Sequence, residues 1–292
     1  MQKILLDTDI GSDIDDAVCL AYLLANPDCE LLGITTVTGE PVKRASMASV
    51  LCEIAGKNIP IYPGSANPLL IPQLQTKAKQ AGALKKWKHK KDFPKGEAVE
   101  FLRSTIRNNP GEIILLTIAP LTNIGILFSV DPEIPSLLKG LVLMCGNYFR
   151  KAKGYNKIEW NAMGDYHASA IVYNAKVKVH RSFGIDVTSE VTMKRDEFKE
   201  RFSKHELLKP VIDFSKVWFA EWPIVTFHDP LAAVAVFDKG VCEYQRGNVE
   251  IELEKKNLKG LTRFTPDKKG KHEIAVKVNP QRFFENYFKV FK

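Results

Sequence analysis

Paired cysteines are missing from this 292-residue chain. The five it has stand at 19, 29, 52, 145 and 242, with no CxxC spacing. An odd, dispersed set in mostly apolar surroundings reads as buried free thiols and argues for a reducing compartment. No uninterrupted apolar run is long enough to cross a bilayer, so no membrane partner is expected. MQKILLDTD enters the fold at once, with neither a signal peptide nor an arginine-rich transit segment, and the expectation is a cytoplasmic protein. There is no internal repeat and no independent linker. The length admits one elaborated α/β domain or two, and residues 1–292 are read as one. Positive charge is in excess, at a formal +8. It gathers in local tracts such as KAKQAGALKKWKHKK, Lys77 to Lys91, which match no recognised nucleic-acid motif. Surface solvation is the default for them, and no nucleic-acid partner is expected.

What the chain does have is a crowd of acids near its start. Lys3 to Ala17 reads KILLDTDIGSDIDDA. Ile4, Leu5 and Leu6 form a short apolar run, the pattern of a buried strand. Asp7, Asp9, Asp13, Asp15 and Asp16 follow, with Gly11 and Ser12 making the turn. Ala17, Val18, Leu20, Ala21, Leu23 and Leu24 then recur with helical spacing. The acids stand at the carboxyl end of a first strand, the edge where open α/β sheets bind ligands. Like charges in one loop repel, and burial raises the cost. A divalent cation such as calcium, which takes about six to eight oxygen ligands, would offset both effects. The plainer alternative is a solvated acidic turn capping the helix, because Asp is favoured at helix starts.

Further along, strands are expected at Cys29–Val37, around Ile59–Tyr62, at Glu112–Ile118, at Leu141–Met144 and at Lys176–His180. Helices are expected at Arg44–Ala55, Gly96–Asn109, from the APLTN turn to Val130, and within Trp160–Tyr173. Between Ser65 and Lys95 the pattern degrades, as in lids or mobile flanks. Glu197–Phe219 and Thr226–Phe237 read as helices, with Pro230 in the first turn of the second. Val249–Leu253, Leu261–Thr265 and Glu273–Val278 look like antiparallel strands. Residues 281–291 form an aromatic-rich helix expected to dock on the sheet. The alternation predicts an open, mostly parallel, doubly wound α/β sheet, a Rossmann-like core with antiparallel strands added near the C-terminus.

DTDIGSDIDDA resembles the signature of the inosine–uridine-preferring nucleoside hydrolase family. The resemblance runs in order through TTVTGE ending at Glu40, APLTNIG at 119–125, EWN at 159–161 and HDP at 228–230. It implies an α/β enzyme that binds calcium and hydrolyses the N-glycosidic bond of ribonucleosides, as a homodimer or homotetramer. It further implies Asp9 as metal-bound general base and Asp16 and Asp229 as metal carboxylates. A backbone carbonyl, Ile118 or its neighbour Ala119, would complete the metal set. Asp15, Glu159 and Asn161 would contact the sugar, and His228 would lie near the leaving base. Asp7 would support the loop from behind.

The chain departs from the family in three places, the mildest being Trp160 where Phe is more usual between Glu159 and Asn161. Its acid loop carries extra Ser12-Asp13-Ile14 material, so Asp13 competes with Asp15 for the ribose. Glu40 stands where well-known members carry Asn. A carboxylate accepts from a sugar hydroxyl but cannot donate. The chemistry also stands on its own terms. Glycosidic cleavage passes through an oxocarbenium-like state that surrounding carboxylates stabilise. A histidine with an unperturbed pKa near neutrality, such as His228, could protonate the leaving base. Plainer roles compete: His228 as a cap, Asn161 and Asn123 as turn residues, His167 and His180 as structural. Trp218 and Trp222 read first as core aromatics and second as walls of a base pocket. Two other functions fit parts of the pattern. Asp7-Thr8-Asp9 has the DxD spacing of haloacid dehalogenase-type phosphatases, and the acid cluster would also suit a non-catalytic calcium- or nucleoside-binding protein.

Overall fold

The computed structural model describes residues 1–150 and 152–291. In chain order the strands are β1 (Gln2–Thr8), β2 (Cys29–Thr36), β3 (Ile61–Pro63), β4 (Ile113–Thr117), β5 (Gly140–Met144) and β6 (His180–Phe183). There follow β7 (Thr192–Lys194), β8 (Ile224–Thr226), β9 (Cys242–Ile251), β10 (Thr262–Pro266) and β11 (His272–Val278). Among the described residues, nine of these form one sheet in the order β10-β9-β11-β6-β5-β4-β1-β2-β3. From β3 to β6 every pairing is parallel. β11 joins β6 in parallel and β9 antiparallel, and β10 closes the edge antiparallel. The expected doubly wound sheet with antiparallel additions is the one observed.

β1 lies in the middle and is apolar on both faces. Ile4 and Leu6 enter one hydrophobic cluster with the helix Asp15–Ala25, while Leu5 enters the other with Leu102, Leu115 and Leu141. Side chains alternate along a strand, so a central strand covered on both sides reads as a continuous apolar run. Because the neighbours of β1 run parallel to it, their carboxyl ends share one edge. Thr8, Thr36, Thr117 and Met144 end there, and the connections that follow them build the site.

Several boundaries differ from expectation. The strand expected over Lys176–His180 begins where it was to end, because Lys176 and Lys178 are exposed and contact with the sheet starts only at Val179, whose carbonyl accepts from Leu141 N. The long helix Glu197–Phe219 is two helices, Arg195–Phe202 and Lys209–Glu221, and Pro210 opens the second. Trp160–Tyr173 is likewise divided into Trp160–Gly164 and Tyr166–Asn174, where Asp165 caps the second piece by accepting from Ala168 N at 3.0 Å. The small β7–β8 sheet was not foreseen, and β9 starts seven residues before Val249. The C-terminal helix Pro280–Phe288 packs chiefly on the helix His228–Phe237 rather than on the sheet, and its Tyr287 hydroxyl donates to Val18 O of the first helix at 3.0 Å. Between Ser65 and Lys95 there is a 3-10 helix, Lys79–Lys86. The lysine tract there is tied down by Lys86–Asp213 at 3.2 Å and Lys88–Glu53 at 3.0 Å.

Candidate active site

The acid loop leaves β1 and enters the helix Asp15–Ala25. Asp7, still in the strand, is fully buried. It accepts from Thr35 Oγ1 on β2 at 2.5 Å and from Asn123 Nδ2 at 2.8 Å. Burial pushes its carboxyl up to about 7, so it braces the loop from behind. Asn123 also accepts from Ser65 N at 2.9 Å and thereby ties the β3 end to β1. Thr8 donates to Asp16 Oδ1 at 2.5 Å and accepts from Ile10 N at 3.1 Å. Gly11 has φ +119°, and a Cβ there would meet Met47 Sδ at 2.9 Å, so the turn needs glycine.

Asp15 and Asp16 occupy the first turn of their helix, and Asp229 the first turn of the helix His228–Phe237. The two N-termini face one another, and Asp229 N donates to Asp15 Oδ2 at 3.1 Å. Free backbone N–H groups and the helix dipole make such ends tolerant of negative charge. One oxygen each from Asp15, Asp16 and Asp229 lies within 4.8 Å of the other two, and all three residues are buried. Asp9 is not in that trio but is close to it electrostatically: after burial, its charge is the largest influence raising the Asp16 pKa. Burial, then mutual repulsion, raises Asp15, Asp16 and Asp229. Asp9 is raised by burial, against the pull of Arg44. Asp13 is pushed up to about 7, burial again leading. Acids held this far from their ordinary state call for a counter-charge. The all-oxygen, carboxylate-rich donor set suits a hard divalent cation.

A family model described as inosine-uridine preferring nucleoside hydrolase matches residues 4–285. The chain belongs to that family. This nucleoside hydrolase is 29% identical over 269 residues to uridine nucleosidase 1 of Arabidopsis thaliana, covering 87% of this chain and 79% of the relative. It is 28% identical over 306 residues to the inosine-uridine preferring nucleoside hydrolase of Crithidia fasciculata, covering 97% and 95%. Its fold matches the purine-preferring ribonucleoside hydrolase from Gardnerella vaginalis at a TM-score of 0.86 and 20% identity, over 99% of this chain and 98% of the other. It hydrolyses the N-glycosidic bond of ribonucleosides. The phosphatase and non-catalytic alternatives fall away.

The remaining expected residues of the hydrolase sit as follows. Ile118 lies just past β4, its N–H on Asp7 O at 3.0 Å, which puts it beside the loop. Glu159 caps the helix Trp160–Gly164, accepting from Asn161 N at 2.7 Å, Ala162 N at 2.9 Å and Gly146 N at 2.9 Å. Asn161 Nδ2 donates to Met144 O at 3.0 Å. Glu40, with φ +60°, turns to Lys43 Nζ at 2.5 Å and Ala78 N at 3.0 Å. His228 Nδ1 pairs with Thr188 Oγ1 at 2.6 Å, and burial holds its pKa down to about 4. The imidazole is therefore neutral at pH 7, unlike the near-neutral acid expected of it. Trp218 packs partly buried against the core with Nε1 on Ile224 O at 2.8 Å, but Trp222 is exposed.

Sequence reasoning missed three residues here. Tyr155 sets its ring edge against His228, centroids 5.7 Å apart, with its hydroxyl on Thr226 Oγ1 at 3.2 Å. Arg44 is fully buried beneath the acid loop. Gln75 reaches Asp9 from the irregular stretch after β3. The one available signal was Arg44, set beside Lys43 at the head of a helix otherwise made mostly of small and apolar residues.

Proposed function

We propose that the hydrolysis is calcium-dependent and that the acid edge performs it, within one domain spanning 1–292. The observation that carries this reading is the convergence of Asp15, Asp16 and Asp229 at two facing helix N-termini. Asp16 and Asp229 would hold the cation, with Asp9 and the Ile118 carbonyl completing the set and Asp15 at its border. When bound, calcium orients a water and lowers its pKa. Asp9 is assigned as the general base that would take the attacking water's proton as the C–N bond breaks. The ionised carboxylates favour the positive charge that develops on the sugar ring. Asp15, Asn161 and Glu159 are assigned to the ribose, with Asp13 the alternative to Asp15. Since Glu159 already accepts three backbone N–H groups, it positions Asn161 as much as it grips sugar. Glu40, drawn to Lys43 and Ala78, shapes the pocket wall. Neutral His228 donates a hydrogen bond to the departing base from Nε2 when Thr188 occupies Nδ1 as donor. A homodimer or homotetramer in the cytoplasm remains our reading of its setting.

The test is a panel of ribonucleosides, inosine and uridine first, with their 2′-deoxy partners and 5′-phosphates, read by release of free sugar with calcium and after chelation. Ribose release that calcium restores, and poor release from 2′-deoxy compounds, is expected. Buried groups built to meet a hydroxyl discriminate strongly against its absence. Full activity after exhaustive chelation would overturn calcium dependence. Equal rates with 2′-deoxy compounds would overturn the assignment of the sugar contacts.

A further inference from the structure

The stretch between Gln73 and Gln80 has no part in the steps above, yet it lies across the acid loop. Gln75 Nε2 donates to Asp9 Oδ2 at 2.8 Å and to Ser12 Oγ at 2.5 Å. Gln80 N donates to Gly11 O at 3.0 Å, and its side-chain amide to Ser12 O at 3.0 Å. Glu40 accepts from Ala78 N at 3.0 Å. A Cβ on Gly39 would meet the backbone of Gln75 and Thr76 at 2.5 Å, so the strand of chain sits directly on the Thr38–Glu40 turn. From beneath, Arg44 Nη1 donates to the Asp9 and Ile10 carbonyls and to Ser12 Oγ, and Nε to Gly39 O at 2.8 Å. The loop is gripped from two sides, and the grips meet at the Ser12 hydroxyl.

We propose that Gln75 is a positioning residue for Asp9, fixing the rotation of its carboxylate, and that Ser12 in turn fixes Gln75. This rests on Asp9 being the general base. A carboxylate turns easily about its last bond, where the energy surface is broad and two-fold. A donor on Oδ2 leaves Oδ1 facing the reaction. A primary amide suits the place because its two N–H groups serve both acceptors at once, Asp9 and Ser12, without adding charge. A carboxylate at position 75 would bring another negative charge against a loop already crowded with them. The strap also accounts for the longer acid loop: the inserted Ser12 is the residue that Gln75, Gln80 and Arg44 all hold.

The experiment compares Gln75→Met, which keeps length and loses both donors, with Ser12→Ala and the double variant. Sugar release gives kcat and KM, chelator competition gives calcium affinity, and melting reports folding. Gln75→Met is expected to lower kcat by about 10- to 100-fold through misalignment of the base, with KM and calcium affinity within about threefold of the parent. Ser12→Ala should cost less, and the double variant no more than Gln75→Met alone. Gln75→Met with kcat within about threefold of the parent overturns the proposal. A loss confined to KM overturns it too, making Gln75 a sugar contact, and so does a double variant whose losses multiply. An active parent with an unaffected Gln75→Met sinks this inference alone. An inert parent sinks the function assigned to Asp9 and this inference with it.

Discussion

The two ends of the site are built by opposite means. Where the proposed function puts the cation and the sugar, Asp9, Asp15, Asp16 and Asp229 are nearly out of contact with solvent, and Gln75, Thr8 and the Asp229 N–H donate to the first three. Where the proposed function puts the leaving base, Tyr155 is 38% exposed and His228 is a neutral ring touching Thr188 and Tyr155. On that proposal, one end would stabilise charge that appears only as the bond breaks. The other offers an adaptable surface with few fixed hydrogen bonds. A site of this kind specifies the sugar tightly and the base loosely.

The sharpest way to break the comparison is to remove the base. Asp9→Asn keeps shape and loses the proton acceptor. Turnover should fall by about a hundred- to ten-thousand-fold, with KM changed far less. Steady-state sugar release measures it. Near-parental turnover would move the base elsewhere, Asp13 first.

The next effect belongs to the other end. His228→Ala should lower kcat by about tenfold or more on a nucleoside whose base leaves poorly, since only a hydrogen bond to the leaving group is lost. On an activated aryl riboside, which departs without help, the same variant should act at close to the parental rate. Asp9→Asn should impair both substrates alike. An equal loss on both substrates for His228→Ala would show that this ring supports structure rather than departure.

The sequence made the buried acid cluster legible because its residues are local. Five acids stand together between Asp7 and Asp16 at the end of a buried strand, and HDP supplies the distant acid that joins them at a helix start. The parallel sheet was legible for the same reason, as apolar runs alternating with helical spacing. What escaped was assembled from afar. Gln75 reaches Asp9 across 66 positions from a stretch with no periodicity. The pKa of His228 depends on burial by elements that no spacing reveals. Glu40 was readable as a departure, but its turn toward Lys43 and Ala78 follows from the strap packed over it. Helix breaks at Asp165 and before Pro210 were marked by capping and proline chemistry, and reading those signals ahead of periodicity would have found both.

The last expected effect lies away from both ends and touches stability rather than turnover, where buried histidines join the added strands to the parallel sheet. His180, on β6, faces His272 on β11 with ring centroids 4.6 Å apart and Tyr173 at 5.1 Å. His272 Nδ1 accepts from Val249 N at 3.0 Å while Nε2 meets Tyr173 O at 2.8 Å, so its neutral tautomer is set by the backbone. Burial, then the neighbouring His272, holds the His180 pKa down to about 3 from 6.5. An imidazole whose folded pKa lies below its unfolded one adds no penalty above pH 6.5. As pH falls below that, the unfolded chain takes up a proton that the folded chain refuses, and stability drops until about pH 3. By pH 5 the loss amounts to about 2 kcal/mol. Urea unfolding of the parent and of His180→Phe at pH 7.5 and pH 5 checks it. Other titrating groups act on both proteins alike, so the difference isolates His180. The variant should lose less stability than the parent over this interval, whatever its stability at pH 7.5. Parallel losses would mean that the pair is hydrated and titrates much as it does in the unfolded chain.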